Sequence, residues 1–274
     1  MVTTKIKLPA YAGSFYPQER EKIKAQVKGF LAGAKSEKTN CLGCVLPHAG
    51  YIYSGKTACL TIAGINLPET IILLGPNHSG IGPEFSLLAA SCWQTPLGQI
   101  EIDQQLSQKI LKHCPWVKNE SSAHEKEHSL EVELPLLQYF RPDFKLAALT
   151  IASNDMGRLK ETGQEIAKII TDGNLLGNVL VIASSDLTHY EPLAQAQKKD
   201  QLAIEQILQL DEVGLAKNIE KYNISMCGYA PVITMLSCVK KLGAKSAKLV
   251  NYSTSADQTH DASSVVGYAG IKVY

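Results

Sequence analysis

The sequence has almost no net charge: 27 Lys and Arg stand against 26 Asp and Glu, a formal +1 over 274 residues. A chain so balanced carries no basic field for nucleic acid or for an acidic membrane surface, so neither is an expected partner. No apolar run approaches the roughly 18 residues of a membrane span, and the opening MVTTKIKLPAYAGSFYP lacks the apolar core of a secretory signal. Seven cysteines, an odd number without such a signal, do not make a disulfide framework and fit a reducing compartment. Repeats, low-complexity tracts and linkers are also missing. What remains is a cytoplasmic globular protein, with residues 1–274 read as one domain large enough for a substantial core.

Short apolar runs closed by turn residues alternate with segments of helical spacing. GCVLPHAG, ETIILLGPNHSG, KLAALTI and NVLVIASSDLTHY read as buried strands, and FSLLAASCWQTPLGQIEI reads as a pair of strands turned by Pro96 and Gly98. SGKTACLTIAGI, DQQLSQKILKHC behind the cap Asp103, residues 158–171, residues 194–221 and MCGYAPVITMLSCVKK before Gly243 read as helices. EHSLEVELPLLQYF has helical spacing too, with Pro135 either kinking the helix or marking its true start. AKLVNYSTS and SSVVGYAGIKVY close the chain as strands. The alternation predicts an α/β fold: a central, mostly parallel mixed sheet flanked by helices on both faces.

In open α/β sheets, ligands collect beyond the carboxyl ends of the strands, where loops converge on a fixed frame. His48, His78 and the pair Asp186 and His189 each follow an apolar strand closely, so three strands would deliver polar tips to one edge. Pro47 and the small residues Ala49 and Gly50 leave His48 on a directed strand exit with open space beside it. Cys227 stands at a helix start in MCGYAP, where the partial positive charge of the helix end favours thiolate. The other cysteines sit in apolar or amphipathic contexts and read as structural, including Cys41 and Cys44 of CLGC, which no second CxxC completes as a zinc site. His124 and His128 match the spelling of an HExxH zinc helix, but NESSAHEKEHS is so polar that a solvated loop is expected, with His128 the better site candidate.

PHAGYIYSG, GPNH, EHSLEVELP, SSDLTHY, MCGYAP and DASSVVGYAG, with YAGSFYP near the start, together resemble the Memo family, whose microbial members are also called AmmeMemoRadiSam system protein B. The resemblance implies a fold like that of the class III extradiol ring-cleaving dioxygenases, which are non-haem iron enzymes. It implies metal ligands at His48, His78 and Cys227, and neighbouring groups at Asp186, His189 and His128. A cysteine where the dioxygenases use a carboxylate argues against ring cleavage, because a thiolate is softer and suits copper or zinc as well as iron. On this reading His189, oriented by Asp186, is a base, and His128 stabilises an anionic bound group.

Three functions follow as expectations. One is a redox enzyme using iron or copper, with zinc also suited, on a small molecule or oxygen species. Another is a metal-free cysteine enzyme with Cys227 as nucleophile, His189 as base and Asp186 as orienter. The last is a non-enzymatic scaffold that holds a peptide or sequesters a metal. The family's system name further implies a pathway shared with Amme-type and radical SAM proteins.

Overall fold

The computed structural model describes residues 5–34 and 37–274, so the first four residues of the opening segment lie outside it. The amino-terminal part runs through β1 (Ile6–Lys7), α1 (Arg20–Phe30), β2 (Gly43–Leu46), a wide π turn at Tyr51–Gly55, α2 (Lys56–Ala63) and β3 (Thr70–Pro76). There follow β4 (Phe85–Leu87), β5 (Cys92–Thr95), β6 (Gly98–Ile102), α3 (Gln104–His113), β7 (Lys118–Asn119), α4 (Ser122–Glu125) and α5 (Glu133–Phe140). The second half is built from β8 (Lys145–Ile151), α6 (Met156–Asp172), β9 (Val179–Ser184), β10 (His189–Glu191), α7 (Leu193–Leu208) and α8 (Glu212–Tyr222). It closes with α9 (Tyr229–Lys241), β11 (Ala247–Thr254), α10 (Ala256–Thr259) and β12 (Val265–Val273).

At the centre β6, β8, β3, β9 and β2 lie side by side, all parallel. β12 joins β2 antiparallel and carries β11 and β10, while β5 and β1 extend the opposite edge. β4 pairs antiparallel with the carboxyl half of β8, and β7 joins β4. The strands read as continuous apolar runs because both faces are covered. Val45, Ile72, Leu74, Val181 and Ala183 turn to a core under α3, α6, α7 and α9; their neighbours Leu46, Ile71, Leu73, Leu180 and Ile182 turn to a second core under α1, α2 and α5. This is the expected α/β architecture. No helix among the described residues is long and apolar enough to cross a membrane.

Local signals place most boundaries. Asp103 caps α3 by accepting Leu106 N at 2.9 Å, and Gly243 ends the turn after α9 with φ +99°. Pro135 lies in the first turn of α5, where its missing N–H costs no helical bond, so it marks a start and not a kink. The expectation over 194–221 needs correcting: Leu210 takes φ +55°, and Asp211 accepts Val213 N and Gly214 N, so the segment breaks into α7 and α8. The presumed strand pair over 85–102 is three strands, since Ser91 turns aside to Lys5 O and frees β4 to pair with β8.

The largest correction concerns NESSAHEKEHS. It is not a solvated loop: His124 in α4 is fully buried, and Glu127, Ser129 and Glu131 beyond it are buried as well. His124 Nε2 donates to Ser86 O at 2.9 Å and its ring meets Trp93 edge-on, while α4 ends at Glu125, so His124 and His128 share no helix and form no zincin motif. Burial lowers the His124 imidazole to about 4, which favours the neutral ring in the folded chain. The unfolded chain takes up a proton first as pH falls below about 6.5, so stability is present above that pH and is lost on the way down to about 4. A His124→Gln variant, which keeps a donor near Ser86 O, is expected to be less stable at pH 7 yet to lose less stability between pH 6.5 and 4, a difference on the order of 3 kcal/mol in denaturant titrations at the two pH values.

Candidate metal centre

Each parallel strand at the centre ends two residues before a polar group. β2 ends at Leu46 and His48 follows; β3 ends at Pro76 and His78 follows; β9 ends at Ser184 and Asp186 follows. Because β3, β9 and β2 are neighbours in that order, the three exits stand side by side. The start of α9 approaches the same edge. A Cβ on Gly228 would lie 2.3 Å from Ser184 O and 2.5 Å from Ser185 Cβ, so only glycine lets the chain pass, and Gly228 N donates to Ser185 Oγ at 3.0 Å. This close passage sets Cys227 Sγ 3.3 Å from His48 Nε2. The ligand atoms of His48, His78 and Cys227 all lie within 4.8 Å of one another.

Hydrogen bonds decide which nitrogen each histidine offers. Ser184 Oγ donates its single proton to Ser129 O at 2.7 Å, so the 2.7 Å contact with His48 Nδ1 requires the proton to be on Nδ1. The Nε2 lone pair of His48 then faces Cys227. His78 Nδ1 lies 2.9 Å from Glu127 Oε1 and donates to it, which fixes the ring and leaves Nε2 pointing away from that bond. Glu127 also accepts the N–H groups of His78 at 2.5 Å and Ser129 at 2.8 Å. Hydrogen bonds from His78 and Ser129 and the nearness of His128 overcome burial and hold its carboxyl down at about 2.

His128 stacks on His78 at 4.6 Å and packs against Phe15 at 4.6 Å. Burial outweighs the pull of Glu127 and lowers its imidazole to about 4, so at neutral pH it is uncharged and does not meet an anion as a cation. Burial likewise lowers the His48 imidazole well below its usual range. Burial thus favours the neutral form of His48 and His128, and neutral imidazole is the form that binds metals.

Two sequence expectations about the neighbouring residues change. Asp186 does not orient His189: its Oδ1 accepts His48 N at 2.9 Å, and its carboxyl also takes a hydrogen bond from Ala49 N, so it shapes the turn carrying His48. Burial pushes the Asp186 carboxyl up to about 6, against the opposing pull of His189 and those N–H groups. Ser225 orients His189, through Oγ to the His189 N–H at 2.7 Å and through its carbonyl to Nδ1 at 2.9 Å, which leaves His189 Nε2 as an acceptor. The Cys227 thiol, expected to ionise at a helix start, is instead pushed strongly up by burial and by Asp186.

His48, His78, His128, Asp186, His189 and Cys227 all line one cleft of about 760 Å³. Glu127, Ser184, Ser225 and Phe15 also belong to the site and escaped sequence reasoning. Glu127 carried a signal, since it lies inside HEKEH, but polarity there read as exposure. Ser184 and Ser225 are common residues whose role depends on contacts 55 and 36 positions away in the chain.

An α/β sheet whose strand ends gather two histidines and a cysteine, their donor atoms within 4.8 Å of one another, defines the class: a protein with a three-donor pocket at the edge of a mixed sheet. The profile of the Memo-like protein family matches residues 7–272, so the chain belongs to that family. It is 40% identical over 276 residues to a MEMO1 family protein of Methanopyrus kandleri, covering 96% of this chain and 97% of that one. A MEMO1 family protein of Aquifex aeolicus is 38% identical, covering 97% and 98%. In fold the chain is similar to the crystal structure of uncharacterized protein JW3007 from Escherichia coli K12, with TM-score 0.55, 12% identity, and coverage of 84% and 98%.

Replacing Gly228 by Ala is expected to leave a folded protein with α9 displaced from Ser184 and Ser185. The measurable result is faster alkylation of Cys227, with little change in far-ultraviolet circular dichroism.

Proposed function

We propose that His48 Nε2, His78 Nε2 and Cys227 Sγ hold one metal ion, iron or copper with zinc also suited, and that the protein is a metal-dependent oxidoreductase acting on a small molecule in the cleft. The observation that carries this reading is the donor set: two imidazoles with Nδ1 tied back to Ser184 and Glu127, and a thiol 3.3 Å from one of them. Three protein donors leave coordination positions open, which is the pattern of a catalytic site and not of a closed structural one. The ion would supply electron transfer and Lewis acidity at the floor of the cleft.

The chain's own residues supply the rest. Glu127 fixes the His78 ring and adds negative charge behind it. Asp186 fixes the turn that aims His48. His189, held by Ser225 with Nε2 facing the cleft, accepts a proton from a bound molecule. His128 contributes a neutral ring and a flat wall backed by Phe15. The metal-free cysteine enzyme is disfavoured, since the thiol is held protonated by burial and Asp186 bonds to His48 N and not to His189.

The reading predicts one ion per chain under reducing, oxygen-free conditions. Because burial favours the neutral His48 ring while the Cys227 thiol must ionise, loading displaces at least one proton, and the affinity for zinc should rise about tenfold or more per pH unit near neutrality. Cys227→Ser should abolish that slope together with tight binding, measured by competition with a chromophoric chelator. Glu127→Gln should weaken binding about 10–100-fold while keeping the stoichiometry. A wild-type protein that takes up no iron, copper or zinc under these conditions would sink the proposal.

A further inference from the structure

The cleft continues beyond the donor set, and its outer part has a chemistry of its own. Tyr53, Tyr190 and Tyr268 line it, and no Lys or Arg is among the described residues of its wall. Burial and Asp186 disfavour charge on the Tyr268 phenol most, and Tyr53 and Tyr190 each lie close enough to add to this.

Two features mark this wall as more than packing. Tyr190 takes φ +58°, a left-handed conformation that a bulky side chain adopts only under constraint, and it is 79% exposed. The constraint is visible on both sides. His189 is pinned to Ser225 through N and Nδ1, and Glu191 Oε1 holds Lys199 Nζ at 2.6 Å, which in turn donates to Asn223 O. The pairing with β12 shifts register between His189 and Glu191, so Tyr190 is looped out of the ladder toward the cleft. The second feature is Tyr268: the residue is only 2% exposed and lines the cleft, and its hydroxyl makes no hydrogen bond to another described residue, so it is free to pair with a molecule bound there.

We propose that Tyr190, with Tyr53 and Tyr268, forms a recognition subsite for an uncharged, planar small molecule that carries a hydroxyl or carbonyl group. Tyr190 supplies a face for the flat part of the molecule, and the Tyr268 hydroxyl pairs with its polar group. The absence of Lys and Arg from the wall, with Asp186 close by, selects against phosphorylated and other strongly anionic molecules. This assignment rests on the cleft being a small-molecule site, as in the proposed function, but not on the metal being bound.

The probe is 2-naphthol, with 2-naphthyl phosphate as its anionic counterpart, titrated calorimetrically into chelator-treated and zinc-loaded protein. Wild type should bind 2-naphthol in both states and, in the chelator-treated state, bind the phosphate ester at least about tenfold more weakly. Tyr190→Asn, which tolerates the left-handed backbone, should weaken 2-naphthol about tenfold with a Tm unchanged or raised, because relief of strain offsets the lost ring. Tyr268→Phe should weaken 2-naphthol with no loss of Tm. No binding of 2-naphthol in either state, equal or tighter binding of the phosphate ester by the chelator-treated protein, or variants that bind 2-naphthol like wild type would overturn the proposal. So would a lowered Tm for Tyr190→Asn, which would make the ring a packing element. If 2-naphthol binds as expected and the protein takes up no metal, the metal assignment alone falls.

Discussion

The parallel pairing of β3, β9 and β2 is the constraint on which the rest depends. Leu46 is in register with Ser184, and Leu74 with Ala183, so the strands stop nearly level and their following residues emerge together. Neighbouring strands are about 4.8 Å apart, which is close to the spacing a single ion needs between donors from different strands. Register also sets direction, since a slip of one residue would turn the groups beyond the strand end to the other face. The two apolar cores fix that register, because every strand residue has an assigned side.

Around this edge the protein buries an unusual amount of polarity, and it does so in pairs. Glu127 takes hydrogen bonds from His78 and Ser129, and Glu131 takes those of Ala10 N, Tyr11 N and Tyr16 Oη with Lys7 at 3.5 Å. The Glu131 contacts carry the amino-terminal segment onto the sheet, and with it Phe15, which backs His128. Glu133, two residues further, is a different case: burial pushes its carboxyl well above the usual range, and it lies 3.3 Å from Ser184 Oγ. Glu127 thus contacts His78 directly, whereas Glu133 reaches His48 only through Ser184.

The outer cleft follows from the same arrangement. β10 and β12 wall the cleft beside the strand ends, and the bulge between His189 and Glu191 trades a regular ladder for one residue turned outward. Strain at such a position persists only where neighbours hold it, and here Ser225 and Lys199 do so.

The sequence by itself determined the strands, because apolar runs such as Ile71 to Leu74 have no stable place outside a sheet covered on both faces. It also determined that His48, His78 and Asp186 share an edge, since each lies just past such a run, and the ordered motifs determined the family. Only the tertiary structure decided which partner each residue serves. Asp186 and His189, three residues apart in the chain, read as a pair, yet Asp186 closes on His48 N and His189 on Ser225, because β9 lies beside β2 while the turn at His189 packs against the segment before α9. HEKEH read as solvated because local polarity reports an affinity for hydrogen bonds and not where they are made. Only the packed chain brings Ser86 O to His124 Nε2 and Glu127 to His78.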